Sequence, residues 1–92
     1  MLDTFTLYSG TASGAQTSVF LPATFGKKSS NTGHVQVVGA GTVTLEGSAN
    51  GANWISIVTG VTSANGFHIA VFPHMRANIT TASGTTTVFL VI

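Results

Sequence analysis

Apolar and polar residues alternate with a period of two along most of this chain. In Thr4-Phe5-Thr6-Leu7-Tyr8 the odd positions are apolar and the Thr residues lie between them. Gln16 to Leu21 is the next expected strand, and Pro22 stops it, because proline has no N–H for a ladder. Residues 26–33 are a polar loop, and His34-Val35-Gln36-Val37-Val38 alternates again before the Gly39-Ala40-Gly41 turn. Val43 and Leu45 then face one way, Thr44 and Glu46 the other. Asn50-Gly51 suits a tight turn with positive φ.

The returning stretch, residues 54–58, is apolar on both sides, with Trp54 and Val58 on one face and Ile55 and Ile57 on the other. A strand of that kind has one side in a core and a second side free for a subunit contact. After Asn65-Gly66, Phe67, Ile69 and Val71 oppose His68, Ala70 and Phe72, and Pro73 ends the run. Met75, Ala77 and Ile79 alternate with Arg76, Asn78 and Thr80, and residues 86–92 end apolar on both faces. The tetrapeptides SANG and TASG each occur twice as reused turn chemistry, and the strands around them do not match. No window shows helical spacing. About eight strands with turns every 8–12 residues predict an all-β fold, a single small antiparallel β-sandwich or jelly roll over residues 1–92.

Composition adds a second theme. Charged residues make up 5% of the 92, and they are Asp3, Lys27, Lys28, Glu46 and Arg76. An average domain has roughly 25%. Polarity comes instead from 15 Thr and 9 Ser. A hydroxyl-covered surface with so few charges is poorly protected against association, which points to a subunit of an assembly. Cysteine is absent, so disulfides and thiolate metal sites are excluded. A net charge of +1 argues against nucleic acid, which requires several cations along one face. The start MLDTFTLYSG lacks a basic region and an apolar core, so no signal peptide is expected. No run approaches the roughly 18 apolar residues of a membrane span.

Candidate chemistry is sparse. Asp3 and Glu46 are the only carboxylates and read as surface acids, so a non-enzyme is expected. His34, His68 and His74 lack a short-range metal spacing and read as surface or interface histidines. No cofactor or metal is expected. No nucleophile elbow is present. Exposed aromatics beside amides are the pattern for sugar binding, and Tyr8, Trp54 and Asn53 are the candidates for a glycan contact. Against that, Trp54 reads first as a core residue closing the sandwich.

GTVTLEGSANGANWISI and FPHMRANITTASGTTTVFLV resemble a pattern in small virion proteins of tailed bacteriophages. The shared elements are a V-T-L-x-G-S strand, an Asn-Gly turn, an Asn-Trp pair, and a Pro followed by an R-A-N strand. The likeness covers residues 35–92. It implies a phage structural protein, made in the host bacterial cytoplasm and built into the virion. The expected role is a capsid decoration or cement protein, a homotrimer bridging subunits of the major capsid protein. On that reading Ile55, Ile57, Phe72, Phe89 and Val91 are candidates for the subunit interface. Leu2, Asp3, Lys27 and Lys28 are candidates for the capsid contact. The alternative is a host glycan-binding module on head or tail, using Tyr8, Trp54 and Asn53.

Overall fold

A computed structural model describes residues 3–25 and 32–92, with Thr24 and Phe25 as backbone only. Nine strands and one short helix follow in order: β1 (Thr4–Gly10), β2 (Gly14–Ala15), β3 (Val19–Phe20), α1 (Leu21–Phe25), β4 (Thr32–Gly39), β5 (Thr42–Ser48), β6 (Ile55–Val61), β7 (Gly66–Ala70), β8 (His74–Thr81) and β9 (Thr86–Val91). They form a four-stranded sheet, β1-β9-β4-β7, and a five-stranded sheet, β2-β8-β5-β6 with β3 also on β8.

Every pairing is antiparallel. The pairs are nested along the chain: β5 with β6, β4 with β7, β2 and β3 with β8, and β1 with β9. The chain is therefore one long doubled ribbon, cut into four hairpin-like steps that alternate between the sheets. With β2 and β3 taken as one interrupted strand, this is the eight-stranded winding of a jelly roll. The expected sandwich is present.

Period-two patterning puts one face of each strand inside. Leu7, Val35, Val37, Ile69, Val88 and Leu90 from one sheet meet Val43, Leu45, Val61, Met75, Ala77 and Ile79 from the other. Leu45, Met75, Val88 and Leu90 are fully enclosed. Truncating such a side chain to Ala costs about 2–5 kcal/mol.

Two local expectations are corrected. The strand expected over residues 16–21 is not formed as one: β2 and β3 are two-residue contacts with β8, separated by Gln16-Thr17-Ser18. Leu21–Phe25 is a short helix where none was expected. Pro22 is its second residue, where the fixed φ suits a first helical turn and the missing N–H costs nothing. Leu21 N donates to Pro73 O at 2.8 Å, which ties this turn to the β7–β8 connection.

The chain's corners rely on glycine. Gly39 has φ +109°, and a Cβ there would strike the carbonyl oxygen of Thr85 in the neighbouring corner. Only glycine fits both the left-handed backbone and the close approach.

Candidate functional site

The outer face of the five-stranded sheet carries a polar and aromatic cluster. On β5 and β8, Glu46 pairs with Arg76 and Thr44 with Asn78, while Leu45 pairs with Ala77 on the inward side. Arg76 Nε donates to Glu46 Oε1 at 2.6 Å, and Asn78 Nδ2 donates to Glu46 Oε2 at 3.3 Å. The side chains of Arg76 and Glu46 are 25% and 13% exposed. The Arg76 guanidinium lies 4.2 Å from the Trp54 ring centroid. Trp54 is therefore on the outer face against a cation, and the expectation of a core Trp is corrected. Its ring meets the guanidinium as a cation–π pair.

The β5–β6 loop presents Trp54. Ser48 Oγ accepts from Asn50 N at 3.2 Å and Gly51 N at 2.9 Å, and donates to Asn50 Oδ1 at 3.1 Å. Asn50 Oδ1 also accepts from Ala52 N at 2.9 Å and Asn53 N at 3.0 Å. Asn50 thus builds the loop with its side chain, and only Gly51 takes positive φ. Asn53 is exposed beside Trp54. The second SANG works differently: Asn65 Oδ1 accepts from Thr62 N at 3.0 Å.

Tyr8 does not join this cluster. It lies on β1 in the other sheet, packed against the core. Its hydroxyl accepts from Ala12 N at 3.0 Å and so pins the turn after β1. The glycan candidates therefore reduce to Trp54 and Asn53, with Arg76 and Asn78 as neighbours that sequence reading did not single out. The available signal was that Glu46 and Arg76 lie on polar faces of strands in a chain with so few charges.

The five interface candidates fall at three places. Ile55 is 54% exposed at the start of β6. Ile57 and Phe72 pack against the core, and both reach over Gly47. Phe89 and Val91 are half-buried on the outer face of the four-stranded sheet. That face also shows exposed Val38 and His34, and its strands β1, β4, β7 and β9 contain no Asp, Glu, Lys or Arg. Asp3 is bound into the sheet through backbone: its N donates to Ile92 O at 2.7 Å, and Ile92 N donates to Asp3 O at 2.9 Å. Leu2, Lys27 and Lys28 lie outside the described residues.

The histidines separate into two groups. His34 and His68 are neighbours on the four-stranded sheet, whereas His74 lies against Phe20 on the five-stranded one, ring centroids 4.8 Å apart. Among the described residues no three His, Asp or Glu side chains converge. No helix among them is long and apolar enough to cross a membrane. Comparison of the chain with protein-family models, with curated proteins and with solved structures finds no match in any of the three.

Proposed function

We propose that this protein is a structural subunit of a bacteriophage particle, a capsid decoration protein that self-associates as a trimer and braces the major capsid protein. The observation that carries the reading is the outer face of the four-stranded sheet. It presents Val38, Phe89 and Val91 among Thr, Gln and His side chains, and its strands carry no Asp, Glu, Lys or Arg. A face without charge has little to keep neighbouring copies apart and little desolvation cost on contact. The resemblance of residues 35–92 to small virion proteins supports the setting, and the low overall charge supports life inside an assembly.

Light scattering over a tenfold dilution tests the self-association. A stable trimer that Val91→Lys converts to monomer is the expected result, and a monomer at every concentration overturns it. The bracing role is tested on particles: those lacking the protein are expected to burst at lower temperature. Equal stability with and without it removes that role.

A second reading has its own support. Trp54 is on the outside of the five-stranded sheet, with Arg76 over its ring and exposed Asn53 next to it in the chain. A half-buried aromatic ring on the protein's outer face, next to amide and guanidinium donors, is the chemistry that holds a sugar. Titration with host surface polysaccharide is then expected to change Trp54 fluorescence, and a silent titration disposes of this reading.

A further inference from the structure

His34 and His68 are far apart in sequence, yet the β4–β7 ladder sets them directly opposite each other. Their rings lie face to face, with centroids 4.7 Å apart and planes 8° apart. Both side chains are exposed on the uncharged outer face of the four-stranded sheet. We propose that this pair is a two-imidazole clip for a divalent transition-metal ion of the Zn²⁺, Ni²⁺ or Cu²⁺ class.

A neutral imidazole keeps one unprotonated ring nitrogen with a free electron pair. A metal bonded at about 2.0–2.1 Å to each of two such nitrogens holds them about 3 Å apart. The stacked rings are already side by side, pointing the same way from adjacent strands. Stacking aims the two in-plane electron pairs parallel to each other, so ligation needs both rings to turn out of the stack until their planes meet at the ion, a rotation that the broad outer torsion of histidine allows. In the unassembled chain, where both histidines are exposed, there is room for that turn and for waters in the other coordination positions. The ladder from Thr32↔Ala70 to Gln36↔Gly66 fixes the two Cα positions, so binding requires no rearrangement of the backbone.

The surroundings decide the class of ion. The four strands of this sheet supply no carboxylate. Ca²⁺ and Mg²⁺ need oxygen ligands and are not served here, whereas imidazole nitrogen suits Zn²⁺, Ni²⁺ and Cu²⁺. Two protein ligands are fewer than the three of a catalytic or four of a structural zinc site, so the ion is held reversibly and is removed by chelator.

The test is calorimetric titration of Zn²⁺ into the full chain without added histidines. Saturable binding is expected, weakened roughly tenfold or more by either His34→Ala or His68→Ala, because each loses the effective concentration of a tethered second ligand. His74→Ala, on the other sheet, is expected to leave it unchanged. Spin resonance of the Cu²⁺ form is expected to show at least two coupled imidazole nitrogens. No saturable binding at millimolar Zn²⁺ overturns the proposal, as does undiminished binding by the folded double variant.

Discussion

The Arg76 guanidinium carbon lies over Trp54, 4.2 Å from its ring centroid, while its Nε donates to Glu46 Oε1 at 2.6 Å. One cation thus serves an aromatic face and a largely covered carboxylate at once. Arg76→Ala is expected to destabilise the fold by about 1–3 kcal/mol, because it leaves the Glu46 carboxylate without its main donor. Arg76→Lys recovers only part of this, since an ammonium lacks the planar fork that stacks and donates together. Urea unfolding midpoints check both. The change at Trp54 is also expected to appear as altered emission, because this is the chain's only Trp.

Gly39 and Gly84 separate two costs of adding a methyl group. Both have positive φ, but around Gly84 nothing lies within 4 Å of the added Cβ. Gly84→Ala is expected to cost about 1–2 kcal/mol from backbone strain alone. Gly39→Ala adds a collision with the Thr85 carbonyl and is expected to cost about 3 kcal/mol or more. Thermal melts of the two variants give the comparison, and equal values would show that the Thr85 corner yields freely.

Asn50→Ala removes the acceptor that holds Ala52 and Asn53 in the β5–β6 loop. A loss of about 1–2 kcal/mol is expected, with Asn50→Asp retaining most of the stability because it keeps the oxygen. Asn65→Ala is expected to cost less, since Asn65 Oδ1 receives the single Thr62 N–H. Chemical denaturation of the three variants ranks them.

Thr86 is 1% exposed, and its Oγ1 has no hydrogen-bond partner. A buried hydroxyl without a partner costs stability relative to a methyl of the same shape. Thr86→Val is therefore expected to be neutral or to stabilise by about 1 kcal/mol, read from the melting temperature. A clear loss would mean that the hydroxyl is engaged in solution.

Alternation made the inward side of most strands readable: Met75, Ala77 and Ile79 are buried, and Arg76, Asn78 and Thr80 face outward as their pattern states. The same rule failed across β6 for a specific reason. Leu45 pairs with Val58 and Glu46 with Ser56, so Ile57 is an extra residue that shifts the phase. That is why Ile57 and Val58 both pack against the core, while Trp54 stands outside. The Ile57 bulge has no residue signature of its own, whereas the second shift in this strand pair, between Val43 and Leu45, lies opposite Gly60 at φ +68°. The facing of His34 and His68 was hidden for a different reason: it depends on which strands are neighbours, and spacing alone does not say so.

The nesting of strand pairs also governs when the fold can form. β9 lies between β1 and β4, so the four-stranded sheet has a gap at its centre until the final strand has been synthesised. Thr4 then has to find Val91 across almost the whole described chain. Pairings that distant close slowly, on the order of milliseconds to seconds. Until then the edges of β1 and β4 stand open, and wherever many copies are made at once they are the surfaces on which mispairing between chains would begin.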